Sequence, residues 1–295
     1  MDEHDTIKII LDENAIDTEY DLNNVIDELI ISLNTYDCMD GISEPTQKKH
    51  ENTKEIDDMN NINIEVYDNN KLHELRSRAD MHRKRLYDID RYFYMTSKID
   101  KNKLQIANIT LRMSTEFKHA KSIAFNIHKI YSTMAKNKDR SRKPILTDAT
   151  ASIGCDTIAL ALSNSFETIN AIEKVESLSN VLKNNLNVYN INYVNVFNSD
   201  YQQTYLNYVQ DIVYIDAPWY NNYIEYDRYN LFLNNVNVVD ILFDLFDKNK
   251  IKMGVLKVPP NFNLEYLINK ISTQRVIIDK IKNSSRHIFS LIYII

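Results

Sequence analysis

ILTDATASIGCDTIALALS, residues 145–163, joins a strand-like segment to an apolar helical pattern through a turn of small residues. Pro144 ends what precedes it, ILTDA (145–149) reads as a strand, and GCDTIALALS opens a helix. The alternation then repeats. TINAIE (168–173) is a second strand and leads into a helix from about Ser177 to Val188. NYVNVFN (192–198), DIVYID (211–216) and IKMGVLKV (251–258) supply three more strands, the last of them after a long apolar helix and before Pro259-Pro260. Strand and helix in turn predict an α/β fold with a doubly wound sheet and helices on both faces.

The chain closes on RVIIDKIK (275–282) and RHIFSLIYII (286–295), two strand-like runs with no helix between them. Such a pair predicts an antiparallel edge hairpin. That ending favours the class I methyltransferase, Rossmann-like form of the fold, with seven strands, over a dinucleotide dehydrogenase. Composition agrees. Three glycines in 295 residues exclude a P-loop, a three-glycine dinucleotide fingerprint, collagen-like sequence and flexible Gly/Ser linkers. The 38 isoleucines and 36 asparagines speak of coding bias and not of chemistry.

Outside this domain the charge separates sharply. Residues 1–70 hold 19 Asp and Glu against 4 Lys, whereas residues 71–143 hold 19 basic residues against 7 acidic ones. The acidic stretch 1–70 is too polar between Asp37 and Asn63 to offset the entropy of ordering, so it is expected to be largely flexible and to shield the basic part when nothing is bound. Residues 71–143 form a basic helical extension. Within it Ser114 or Thr115 caps a helix whose apolar residues Phe117, Ile123, Ala124, Ile127 and Ile130 recur at helical spacing, with Lys118, Lys121, His128 and Lys129 between them. A basic extension beside a catalytic domain (144–295) points to a polyanion. Cys38 and Cys155 are too far apart for a disulfide framework or zinc spacing. MDEHDTIKII lacks the basic start of a signal peptide, and no apolar run reaches membrane-span length. An intracellular protein of the cytoplasm or nucleus is therefore expected, without metal or membrane; its oligomeric state stays open, a monomer being slightly favoured.

In a doubly wound sheet, ligands bind at the carboxyl ends of the strands. The residues there are Asp148, Glu173, Asp200 and the run Asp216-Ala217-Pro218-Trp219, one acidic group at each of four successive strand ends. The set suits S-adenosylmethionine. A carboxylate ending the second strand can take both ribose hydroxyls, Asp200 can accept from the adenine amino group, and Asp148 with the turn to Gly154 faces the cationic methionine portion. Asp216 and the carbonyl of Ala217 or Pro218 can accept protons from an exocyclic amine, whose delocalised lone pair makes it a poor nucleophile. Trp219, the one tryptophan, is placed to stack on a base, and a 7-methylguanine would gain from its positive charge.

At these residues the sequence resembles the trimethylguanosine synthases, enzymes that methylate the 2-amino group of the capped guanine. DATASIGCDT (148–157) matches the D-P-F-C-G-V-G-G-N-T pattern in register, AIEKVESLSNVLKNNLNVYNI (171–191) aligns without a gap, DIVYIDAPW (211–219) answers S-P-P-W, and KVPPN (257–261) is similar to L-P-R-N. Upstream, RMSTEFKHAKSIA (112–124) is loosely similar to S-V-T-P-E-x-I-A. The resemblance covers roughly 85–295. It implies S-adenosylmethionine held by Ser114, Thr115, Asp148, Ala149, Thr150, Ala151, Gly154, Thr157, Glu173, Asp200 and Asp216, catalysis by Asp216, Pro218 and Trp219, and capped RNA met by Trp219, Tyr220, Asn185, Lys257 and Asn261. Ser152 stands at a motif glycine, Cys155 at another, Ala217 at a proline and Pro260 at a basic residue. Tyr220, Tyr223, Tyr226 and Tyr229 recur every three residues, a spacing that fits packing better than a base pocket. The alternatives are an exocyclic-amine methyltransferase of internal guanine or adenine, and an RNA-binding scaffold that has lost its cofactor. The cofactor motif precedes Asp-Ala-Pro-Trp, an order that separates this chain from messenger-RNA adenine enzymes.

Overall fold

The computed structural model describes residues 9–12, 64–66, 89–107, 110, 113–134, 142–219, 226–283 and 286–295. Tyr220, Tyr223 and Cys38 lie outside them, as does most of the acidic segment.

The strands of the main sheet are β1 (Ile9–Asp12), β4 (Ile145–Asp148), β5 (Thr168–Glu173), β6 (Val194–Asn198), β7 (Ile212–Ile215), β10 (Met253–Val258), β11 (Val276–Asn283) and β12 (Arg286–Ile294). Two small pairs accompany them, β2 (Ile64–Val66) with β3 (Gln105–Ala107), and β8 (Phe232–Leu233) with β9 (Val236–Asn237). The sheet order is β1-β11-β12-β10-β7-β4-β5-β6. Neighbours from β6 through β10 are parallel, while β12 runs antiparallel to both β10 and β11. This is the class I methyltransferase sheet with its reversed terminal hairpin. The eighth strand is an addition that the sequence did not reveal. Ile9–Asp12 pairs in parallel with β11 and covers what would otherwise be an open edge.

Six α-helices are named among the described residues: α1 (Phe117–Met134), α2 (Cys155–Leu162), α3 (Glu176–Val188), α4 (Tyr201–Thr204), α5 (Val238–Asp247) and α6 (Leu264–Lys270). The central strands are apolar on both faces because helices cover both. Val213, Ile215, Leu256 and Val258 pack on α5 through Val239, Leu242 and Leu245. Ile212, Tyr214, Met253 and Val255 point the other way, onto α1 and α2. Ile123, Ala124 and Ile127 of α1 share that cluster with Leu146 and Leu160, so residues on both sides of the expected 143/144 boundary belong to one core. Residues 89–107 seat Ile89, Phe93, Leu104 and Ile106 on α3 through Leu178, Val181 and Leu182.

At the amino ends of the strands Asp211 ties three segments together. Its carboxylate accepts from the Ile145 backbone N–H at 3.0 Å and pairs with Arg142 and Lys252 at 3.0 and 3.1 Å. Burial opposes its charge, but these donors outweigh it and hold the carboxyl below its ordinary range. A depressed carboxyl stabilises the fold above its unfolded pKa, and that contribution is lost as pH falls through the folded value. Asp211→Asn should therefore cost about 2 kcal/mol in urea unfolding at pH 7. The gap from the unsubstituted protein should close below the ordinary carboxylate range; a gap that persists in acid would contradict the account.

Candidate active site

The turn from β4 to α2 is shaped by two residues in the left-handed region, Ser152 at φ 49° and Gly154 at φ 98°. Gly154 is required twice over, since a Cβ there would also meet Leu182 Cδ1 at 2.5 Å. A serine in that region costs roughly 1 kcal/mol. The conformation aims the Ser152 N–H at Glu173 Oε2, 2.9 Å away, while Val175 N–H donates to Oε1 at 2.7 Å. Thr150 joins the turn to β7 by accepting from the Asp216 N–H at 3.0 Å. Asp148 sits beneath, accepting from Thr157 Oγ1 at 2.6 Å and from the Thr150 N–H at 3.3 Å. Ala149 and Ala151 are buried, their N–H groups bonded to the carbonyls of Tyr214 and Ile172.

The acidic strand ends therefore converge on one turn, as the sequence led one to expect for Asp148, Glu173 and Asp216. Asp200 ends β6 and caps α4 through the Gln202 N–H at 3.1 Å, with Asn234 Nδ2 donating to its other oxygen at 2.6 Å. Burial pushes the Asp148 carboxyl up to about 7, helped by the nearby charges of Asp156 and Asp216 and opposed by the Thr157 and Thr150 donors. The Glu173 carboxyl is also raised, by burial against its backbone donors.

Several sequence-derived roles are corrected here. Asn185 is 0% exposed, and its amide binds the Gln105 N–H and C=O at 2.9 and 3.0 Å and the Ile153 C=O at 3.0 Å. Both of its N–H donors are thus spent on holding β3 and the β4–α2 turn to α3, and the side chain is closed to solvent. Thr157 is 0% exposed and its hydroxyl is spent on Asp148. Lys257 is 5% exposed and reaches inward: its Nζ donates to Asp216 Oδ2 at 2.6 Å and to Thr115 Oγ1 at 2.8 Å. Thr115 in turn donates to Asp156 Oδ2 at 2.8 Å, and Ser114 bonds back to the Thr110 carbonyl at 2.9 Å. Neither residue caps a helix through these bonds. Asn261 pins the loop of Tyr226 and Tyr229, donating to the Tyr226 carbonyl at 2.7 Å and accepting the Tyr229 N–H on its backbone oxygen at 2.8 Å. Tyr229 is a core residue, its ring 5.7 Å from that of Tyr226. Pro218 is partly exposed beside Trp219. Trp219 is partly buried between the core on the α5 face and the core on the α1 and α2 face, with Lys257 Nζ 5.5 Å from its ring centroid.

Asp156 was missed. Its Oδ2 also accepts from Tyr214 OH at 3.2 Å, and its Oδ1 is buried with no hydrogen-bond partner among the described residues. The signal was available, since Asp156 puts a charge in the first turn of an otherwise uncharged helix. Another lay in MGVLKV, where Lys257 alone is charged in a strand whose six residues are all buried. A buried lysine demands a carboxylate partner. Cys155, buried beside these groups, has its thiol pushed up to about 12 by burial and is inert as a nucleophile.

The site thus holds three carboxylates, Asp148, Asp156 and Asp216, around one ammonium, Lys257. The unpartnered Oδ1 of Asp156 and the net negative charge fit a cationic ligand, and the sulfonium and ammonium of S-adenosylmethionine provide two positive charges. Among the described residues no group of three or more His, Cys, Asp and Glu side chains is arranged to hold a metal ion. No described helix is long and apolar enough to cross a membrane.

No family model matches the sequence. A relative 28% identical over 141 residues is the uncharacterized protein L320 of Acanthamoeba polyphaga mimivirus; the match takes in 46% of this chain and 54% of that protein, so this chain spans about half the relative's length. Solved structures similar to the chain include a T. thermophilus 16S rRNA N2 G1207 methyltransferase in complex with AdoMet and guanosine, at TM-score 0.41 and 13% identity over 59% of this chain and 42% of that one. The human methyltransferase 10 domain containing protein gives 0.44 and 14% over 58% and 81%, and a putative RNA methyltransferase from Pyrococcus horikoshii gives 0.43 and 16% over 61% and 84%. By its strand order and reversed hairpin, the chain has the class I methyltransferase fold.

Proposed function

We propose that this protein is an S-adenosylmethionine-dependent RNA methyltransferase that modifies the exocyclic 2-amino group of the 7-methylguanosine cap. The observation that carries the reading is the gathering of Asp148, Glu173 and Asp216 on the turn between β4 and α2, with Pro218 and Trp219 directly after Asp216. When bound, S-adenosylmethionine supplies an electrophilic methyl group. The chain's own residues do the rest. Glu173, oriented by two backbone N–H groups, retains lone pairs for the ribose hydroxyls, and Asp200 lies at the next strand end for the adenine amino group. Asp216 and the carbonyl of Ala217 or Pro218 accept the protons of the target amine, which localises its lone pair and receives the proton it sheds. Trp219 stacks on the base and aligns the nitrogen.

One observation favours an internal, uncharged guanine as the second reading. The Trp219 ring already takes the Lys257 ammonium at 5.5 Å, which reduces what a second cation gains from the same ring. Labelled methyl transfer to matched RNAs bearing a 7-methylguanosine cap, an unmethylated cap or a 5′-triphosphate separates the two. Labelling of the methylated cap alone supports the cap reading, and equal labelling of all three moves the target to an internal base.

Binding should also be linked to protons. Asp148 and Asp216, pushed up to about 7 and about 6, hold part of their protons near neutrality, and a cation beside them favours the charged forms. Cofactor binding should therefore release protons and tighten as pH rises from about 6 to about 8. Calorimetry in buffers of different ionisation enthalpy reads the release directly; proton uptake would contradict this charge assignment.

A further inference from the structure

We propose that Lys257 is a positioning residue for the transfer step, one that holds the Asp216 carboxylate by a single oxygen and keeps it ready to accept the proton of the target amine. The proposal rests on the methyltransferase reading of this site.

The geometry is specific. Lys257 Nζ lies 2.6 Å from Asp216 Oδ2, and the Asp216 backbone N–H is fixed by Thr150, so the carboxylate is held from two directions. The ammonium is itself held: it donates to Thr115 Oγ1 and lies 5.5 and 5.2 Å from the ring centroids of Trp219 and Phe289. The chain Lys257 to Thr115 to Asp156 runs donor to acceptor throughout and ends on a second, partly buried carboxylate, itself held by Tyr214 OH. Asp216 directly, and Asp156 through Thr115, give that lysine reason to stay charged. Burial works against the ammonium, yet Asp216 and Asp156 outweigh it and hold its pKa above the ordinary value.

The same ammonium decides how Asp216 ionises. Burial drives the carboxyl up to about 6, and Asp156 adds to the rise, while Lys257 opposes both. An acceptor at about 6 is mostly charged at pH 7. Without the lysine it would be protonated there and could take no proton from the amine. The other groups facing this centre are Asp148 from β4, Asp156 and Cys155 from α2, Tyr214 from β7, and His119 from α1. His119 stands with its ring on Phe289 and is held below its ordinary pKa by burial and by the neighbouring cations. None of these supplies a second positive charge to Asp216 that would replace Lys257.

The test compares Lys257→Met and Lys257→Arg in the full chain, with thermal unfolding as a check that each folds. The Asp216 carboxyl is followed by its 13C resonance, assigned by its loss in Asp216→Asn, beside the pH profile of kcat/KM for the capped RNA. In Lys257→Met the Asp216 midpoint and the acid limb of the profile should both move up by about one to three pH units. The rate at pH 7 should fall about 10²-fold, the effect of a displaced acceptor, and Lys257→Arg should restore much of both. An Asp216 midpoint that stays in place in a folded Lys257→Met protein overturns the proposal whatever the activity. A midpoint that moves while the unsubstituted protein transfers methyl to no RNA overturns the methyltransferase reading and leaves the ion pair established. If Lys257→Met does not fold, an acid limb and midpoint in Lys257→Arg displaced upward as far as one to three units would equally overturn the claim that a cation at this point sets them.

Discussion

Replacing Asp216 with Asn is expected to lower kcat about 10²–10³-fold, with cofactor affinity changed much less. Asn keeps an acceptor oxygen and the size of the side chain, but it carries no charge to receive a proton. Its NH2 would face Lys257 or the target amine, donor against donor. Part of the loss arises from folding, because the substitution leaves the buried Lys257 with only Thr115 and the more distant Asp156 to compensate it. Breaking a buried pair from one side costs about 3–5 kcal/mol. The double variant Asp216→Asn with Lys257→Met removes that unpaired charge. It should recover most of the stability of the single variant and none of its rate, measured by thermal unfolding and single-turnover methyl transfer. Recovery of rate along with stability would show that Asp216 is structural.

Removing Glu173 should act on the other partner of the reaction. Glu173→Ala is expected to abolish the rise in unfolding temperature that S-adenosylmethionine produces, since a ligand bound only to the native state must stabilise it. The affinity loss should reach about 10²-fold or more, because two effects add. The ribose acceptor disappears, and the N–H groups of Ser152 and Val175 lose the partner that fixes the turn. Both donors are part-buried, so water can replace some of what they lose and the stability cost should stay at about 1 kcal/mol each. Glu173→Gln keeps acceptor oxygen on one side only and should fall between. A thermal shift of undiminished size in Glu173→Ala would place the cofactor elsewhere.

Much of the fold was legible because periodicity and turn chemistry are local. TINAIE was expected over 168–173, where β5 lies, and the helix expected from about Ser177 is α3 from Glu176. The terminal hairpin was read from the missing helix between two apolar runs, and β12 pairs with both β10 and β11. The edge strand β1 was not legible. Its four residues are strand-prone, but only a partner more than 260 positions away makes them a strand. The site divides in the same way. The carboxylates at strand ends follow from topology and were expected. What each carboxylate bonds to is tertiary. Nothing in NNLNV says that Asn185 turns inward to bind β3, and Lys257 looked available to substrate until Asp216 was found 2.6 Å from it. A cleaner reading of parity would have caught the lysine, because Met253, Val255 and Lys257 share one buried face of β10.

On the proposed reading Asp216, at the end of β7, serves an exocyclic guanine amine. The most direct measurement is digestion of 7-methylguanosine-capped RNA to nucleosides after incubation with the protein and isotopically labelled S-adenosylmethionine, followed by mass spectrometric location of the new methyl group. The label is expected on the 2-amino nitrogen of guanine, at an initial rate about 10²–10³-fold lower in Asp216→Asn. Label on a ribose hydroxyl, or on the 6-amino nitrogen of adenine, would contradict it.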